Sequence, residues 1–151
     1  MHWQLSSFAT LTNAQLYAIL QARVAVFVVE QRCCYQDLDG YDAAAEHLIG
    51  WIDDEVGAYL RILGPNTKFA EPSLGRIITT QCCRGSGVGR ELVARGLAHL
   101  SATCPGMAVR IGAQAHLEKF YGSFGFTRAS DVYDEDGIPH IEMLRPPGVT
   151  A

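Results

Sequence analysis

Thr79-Thr80-Gln81-Cys82-Cys83-Arg84-Gly85-Ser86-Gly87-Val88-Gly89-Arg90 joins a β-branched run, Gly75 to Thr80, to a helical pattern. Past the join, Val88, Leu92, Val93, Gly96, Leu97 and Leu100 recur at the spacing of one helix face. The stretch therefore reads as a strand that enters a glycine-rich turn and leaves it as a helix N-terminus. Glycines in such a turn let the main chain approach a ligand and leave N–H groups pointing outward. Those donors, with the helix dipole, favour an anion, typically a phosphate. Arg84 and Arg90 bracket the turn with positive charge.

Three kinds of phosphate loop compete for this turn. A Walker loop requires Gly-x-x-x-x-Gly-Lys-Ser/Thr, and no lysine follows a glycine here. A dinucleotide fingerprint requires Gly-x-Gly-x-x-Gly, and Arg90 stands where the third glycine counted from Gly85 belongs. The pattern Arg-x-x-Gly-x-Gly does fit, at Arg84, Gly87 and Gly89.

Working outward, the helix ends near Cys104-Pro105-Gly106 and the next strand is expected over Met107–Ala113. Strand, helix, strand over this length implies a parallel pair with a right-handed crossover. Leu117, Phe120, Tyr121 and Phe124 then stripe a further helix that Gly125 closes. Strands are expected over Phe126–Tyr133 and His140–Arg145, flanking a turn with three carboxylates at Asp134-Glu135-Asp136. On the other side of the loop, Leu74–Thr80 is preceded by an antiparallel hairpin, His47–Asp53 and Val56–Leu63. The chain opens with a short strand over His2–Phe8. A helix follows, capped by Thr12 and Gln15, that runs to about Val28. Cys33 to Glu46 has no hydrophobic period and reads as an acidic loop: either a solvated face or an acceptor-binding loop for a cationic amine. Arg23 reads as a solvated or locally paired charge.

Phe120-Tyr121-x-x-x-Gly125-Phe126, some thirty residues past the loop, is the second of two motifs that together resemble the Gcn5-related N-acetyltransferase (GNAT) family. Four further segments are similar to the ElaA-like branch of that family. They are Arg23-x-x-Val26-Phe27-Val28-Val29-Glu30-Gln31, Tyr35-Gln36-Asp37-x-Asp39-Gly40, Gly112-Ala113-Gln114-Ala115-His116-Leu117 and Tyr133-x-Glu135-Asp136-Gly137-Ile138-Pro139-His140-Ile141. The likeness runs from about residue 3 to residue 145. It implies an α/β (α+β) fold, a mixed and mostly antiparallel sheet flanked by helices, whose two central parallel strands splay apart at one end. Acetyl-CoA is the implied co-substrate, with no metal. Ile77, Ile78 and Thr79 would meet its pantetheine arm, and residues Arg84, Gly85, Ser86, Gly87, Val88, Gly89 and Arg90 its pyrophosphate. Gln114 and Leu117 replace an asparagine and an alanine frequent in the family, and both suit a pantetheine channel.

The implied reaction is direct acetyl transfer to a primary amine of a small molecule or peptide in a ternary complex. It needs a deprotonated amine, a polarised carbonyl and a proton for the leaving thiolate. A strand N–H, that of Ile78, is the expected oxyanion donor, and Tyr121 the expected acid. His140 is the preferred base because histidine titrates near working pH; His47, His116, Glu30, Glu135 and a water relay are its competitors. Glu30, Asp37 and Glu135 are the expected acceptor contacts. Two other readings stay open: an acyltransferase or synthase using a longer acyl thioester, and a CoA-binding regulator without turnover.

At 151 residues, 48% hydrophobic and 19% charged, the chain suits a single domain over 1–151. No apolar run approaches the roughly 20 residues of a membrane span, and the N-terminus lacks a signal-peptide pattern, so a cytoplasmic location is expected. Five cysteines without zinc or redox spacing read as reduced thiols. Net charge is −4, yet residues 74–119 hold six basic against two acidic residues. A basic middle in an acidic chain suits a small polyanion rather than nucleic acid or membrane. The acidic remainder suggests a cationic amine as acceptor, and the implied fold is compatible with a homodimer.

Overall fold

The computed structural model describes residues 1–149. One eight-stranded sheet organises them: β1 (His2–Ser7), β2 (Glu46–Ile52), β3 (Glu55–Leu63), β4 (Ser73–Thr79), β5 (Val109–Gln114), β6 (Thr127–Arg128), β7 (Tyr133–Glu135) and β8 (Ile138–Arg145). Their spatial order is β1-β2-β3-β4-β5-β8-β6, with β7 paired to β8. Every pairing is antiparallel except β4 with β5. None of the described helices is long and apolar enough to cross a membrane.

Alternation along β3 sorts the two faces. Ala58, Leu60 and Ile62 point to the cluster covered by helix α2 (Val88–Thr103), where Leu92, Val93, Leu97 and Leu100 are buried. Tyr59 points the other way, with Ile49 and Ile78, toward Ile19 of helix α1 (Asn13–Arg23). The strand is buried on both faces, so its near-continuous apolar run follows from its central place.

Thr12 caps α1 as expected. Its Oγ1 accepts from the Gln15 N–H (3.2 Å), and its own N–H donates to Gln15 Oε1 (3.0 Å). The regular helix stops at Arg23, however, and Val24–Glu30 continues as a π-helix in which the Gln31 N–H reaches back to Val26 O (3.1 Å). Four valines in seven residues crowd the preceding turn, which favours the wider winding.

β4 and β5 share a single register pair, Ser73 with Arg110, closed by the Arg110 N–H on Pro72 O (3.0 Å). Beyond it they diverge, which is the expected splay. A bulge shapes the open side: Tyr59 pairs with Ile78 and Arg61 with Gly75, so Arg76 and Ile77 together oppose Leu60. Arg76 sits at φ 51°, a conformation non-glycine residues seldom adopt.

The C-terminal third departs from the expected pair of strands. Of the first, Thr127–Arg128 and Tyr133 are extended, the latter in β7, and between them the ladder breaks where Ser130 Oγ takes the Glu142 N–H (2.8 Å). β7 and β8 instead form a tight hairpin around Asp136-Gly137, both at positive φ (53° and 81°), as a type I′ turn requires.

Candidate functional site

β4 leaves the sheet through one 3₁₀ turn, Gln81–Cys83, and a four-residue loop that ends at Gly87, the N-cap of α2. Gly85 (φ 76°) and Gly87 (φ 88°) hold the left-handed conformations that bend it. Among the described residues, the N–H groups of residues 85–89 have no main-chain acceptor. Five donors therefore gather at the positive end of a 16-residue helix. The two arginines behave differently from free bracketing charges. Arg84 is clamped to Glu30 (2.5 and 3.0 Å) and to Thr79 O (3.0 and 3.2 Å). Arg90 has no carboxylate partner among the described residues; it donates to Ser123 Oγ (3.0 Å) and lies over the Phe124 ring. Ser86 is exposed, with its Oγ donating to Cys83 O (2.6 Å).

The gap between β4 and β5 is a cavity of about 170 Å³, lined among others by Phe27, Ile77, Gln114, Tyr121, Glu135 and His140. Its main-chain wall can be read from the register. The Thr80 N–H donates to Gly57 O on β3 (2.9 Å), and Ile78, two residues back, faces β3 as well. The peptide groups of Thr79, and those of Arg76 and Ile77 freed by the bulge, face β5. Ile77 thus replaces Ile78 as the main-chain donor with access to the gap.

Tyr121 is 6% exposed, and burial pushes its phenol up to about 12. The five-residue helix that carries it, α3 (Glu118–Gly122), also packs Phe120 edge-on against Tyr121 and Phe124. His140 lies across the cavity in register with Gln114 of β5 and Tyr133 of β7. Its Nδ1 is 2.8 Å from Ile138 O. A carbonyl only accepts, so Nδ1 carries the proton and the Nε2 lone pair is free. Nε2 stands 3.8 Å from Glu135 Oε2. Two contacts tie the helix end to this side: Gln114 Nε2 donates to Gln31 Oε1 (3.1 Å), and Cys33 Sγ to Asp136 O (3.3 Å). All five cysteines are free thiols.

The other candidate bases lie elsewhere. His47 is fully buried; its Nε2–H donates to Asp42 O (3.1 Å), so Nδ1 accepts the Tyr59 hydroxyl (2.8 Å), and burial lowers its pKa. His116 is exposed, and Glu30 is held by Arg84.

The acidic loop is neither a solvated face nor an open acceptor surface. Asp37, Asp39 and Asp42 meet three arginines from three elements, all on the α1 face of the sheet. Arg23, 0% exposed, donates to Asp37 (2.9 Å) and Asp42 (2.7 Å). Arg61 donates to Asp39 (2.6 and 2.7 Å) and Asp42 (3.0 Å), and Arg76 pairs with Asp37 (2.8 Å) and Asp39 (3.0 Å). Tyr35 adds its hydroxyl to Asp37 (2.9 Å). Burial raises the pKa values of Asp39 and Asp42, but the guanidinium hydrogen bonds outweigh it and hold both below the usual carboxylate range. Three cations cancel three anions. The charge at Asp37, and this segment's share of the acidity that was to favour a cationic amine, are thereby neutralised, while Glu135 and Asp136 of the second acidic segment line the cavity. Arg23 was legible only as a position: it falls on the same stripe as Ile19 and Val26, where a solvated charge does not belong.

Residues 13–145 match the model of the acetyltransferase (GNAT) domain. The chain is 46% identical over 147 residues to Protein ElaA of Escherichia coli strain K12, covering 96% of each. The crystal structure of Escherichia coli ElaA superposes with a TM-score of 0.90 over 95% of this chain and 98% of that one. That of an acyl-CoA N-acyltransferase from Pseudomonas aeruginosa, 41% identical, gives 0.91 over 96% and 99%.

Proposed function

Because this chain belongs to the GNAT acetyltransferase family, we propose that it binds acetyl-CoA and transfers the acetyl group directly to a primary amine of a small molecule or peptide. The carrying observation is that one strand joins the two features: Ser73 to Ile77 of β4 line the β4–β5 gap, and the same strand runs on through Gln81–Cys83 into the free amides of residues 85–89. A pyrophosphate suits those amides, and an extended arm suits the gap, where Ile77 offers a peptide group and Thr79, its carbonyl held by Arg84, an N–H. Arg90 supplies a cation beside the loop.

Tyr121 and His140 divide the proton work. His140 Nε2 takes a proton from the acceptor ammonium, and the Glu135 carboxylate nearby stabilises the imidazolium that forms. The amine nitrogen then attacks the thioester carbonyl, whose oxygen gains charge opposite the Ile77 N–H. As the carbon–sulfur bond breaks, Tyr121 gives its proton to the departing sulfur, and the phenolate recovers one from the attacking nitrogen, which must shed its extra proton to become the amide. A phenol with a pKa near 12 is fully protonated at neutral pH, as a donor must be.

The reading is tested first at the loop. A ligand that binds only the folded state adds about 2.7 kcal/mol at a hundredfold excess over its Kd. Acetyl-CoA should raise the melting temperature of the wild type accordingly. Gly87→Val, placing a β-branched side chain among the free amides, should abolish that rise. Gly106→Val carries a comparable backbone strain (φ 76°) outside the loop and should keep it. Loss in both variants, or in neither, would remove the loop from the site.

His140 is tested by substitution. His140→Gln should keep acetyl-CoA binding and cost on the order of 10²-fold in kcat/KM at neutral pH, the low end for general base catalysis. A variant that turns over like the wild type assigns the proton to another base.

A further inference from the structure

The cavity has two unlike ends. One holds His140 with the carboxylates of Glu135 and Asp136. The other is walled by Arg61, Lys68, Ser73 and Arg76. The arginine network behind that wall has three guanidinium groups and three carboxylates, so Lys68 leaves it one positive charge in excess. Lys68 is exposed and makes no ion pair among the described residues.

Arg61 carries the more specific signal. It is 1% exposed, and its Nη1/Nη2 end is fully engaged by Asp39 and Asp42. Its Nε is the one buried side-chain nitrogen or oxygen without a hydrogen-bond partner among the described residues. The Nε–H and the second Nη2 proton form the other edge of the guanidinium fork, the edge that matches a carboxylate's two oxygens. A buried donor left unpaired is costly, and native structures rarely keep one without a reason.

We infer that the acceptor is an amino compound that also carries a carboxylate, its amine toward His140 and Glu135 and its carboxylate toward Arg61 and Lys68. This rests on the acetyl-transfer reading and sharpens it: an amino acid or a similar small zwitterion, in place of a purely cationic amine. A single excess charge and one free guanidinium edge suit a monoanion, whereas a phosphate dianion would call for more cations.

Matched probes decide it. Glycine, β-alanine, 4-aminobutyrate and a set of α-amino acids are compared with their primary amides and with alkylamines of the same length, following CoA thiol release. For the best probe, the acid should exceed its amide by about 10-fold or more in kcat/KM, the size of a charged hydrogen bond. Lys68→Gln should shrink that ratio about threefold, as loss of an exposed charge implies. Amides or alkylamines that match or outperform the acids overturn the inference. Thermal shifts with the same acid–amide pairs and their N-acetyl products, on the CoA-saturated protein and on the protein alone, give a readout independent of turnover. Equal shifts for acid and amide overturn it too. Failure of acetyl-CoA to bind counts instead against the acetyl-transfer reading, and the shifts on the protein alone still judge the carboxylate site.

Discussion

Tyr121→Phe is expected to retain acetyl-CoA binding and to lose about 10²–10⁴-fold in kcat, the usual worth of a positioned acid. The substitution removes one oxygen from a buried ring, leaving the edge-on contacts with Phe120 and Phe126 in place. Stability should therefore change little, because desolvation is what perturbs the phenol and no charged partner is left behind. The loss should fall on kcat and kcat/KM alike, as for an interaction made only in the transition state. Thioesters with a more acidic leaving thiol should narrow the gap, since their sulfur needs the proton less. A variant with full activity across the pH range would reduce Tyr121 to a core aromatic.

Arg23→Met is expected to have the largest effect on stability. It keeps much of the side-chain volume but removes one guanidinium from Asp37 and Asp42, which are 5% and 9% exposed and are left with Arg76 and Arg61 respectively. Breaking a buried pair from one side typically costs about 3–5 kcal/mol. Chemical denaturation should show it, with Arg95→Met, whose ion pair with Glu91 is exposed, as a near-neutral control. The network should also make the wild type acid-sensitive. Asp39 and Asp42 have pKa values lowered by folding. Their contribution is complete above the unfolded carboxylate value of about 3.9 and is lost as pH falls through the folded values. A variant as stable as the wild type would mean that Arg76 and Arg61 alone suffice for Asp37 and Asp42.

The loop and Tyr121 were legible in the chain because each rests on local pattern. Glycines mark the turn, and Phe120, Tyr121, Phe124 and Gly125 lie within one short helix and its cap. The arginine network was not legible, since its pairs join residues 14 to 39 positions apart and sequence alone shows only an acidic run. The bulge was equally silent: Arg76 takes a positive φ without the glycine that would have announced it. Nor does the sequence show which strand amides face β3: the pairing of Thr80 with Gly57 and of Ile78 with Tyr59 does.

The π-wound end of the first helix sets a limit on how this chain can vary in length. A π turn accommodates one residue more than an α turn, so deleting a single valine from Val24–Glu30 would let the segment relax into ordinary helix with its hydrogen bonding intact. Because that turn already absorbs the extra residue, the chain beyond it, with Glu30 on Arg84 and Gln31 on Gln114, would keep its direction about the helix axis. The same deletion placed in the α-wound Asn13–Arg23 would turn everything beyond it by about 100° and swing both side chains off their partners. The surplus residue is thus the one the first helix can lose without unlatching the cofactor loop and the acceptor cavity.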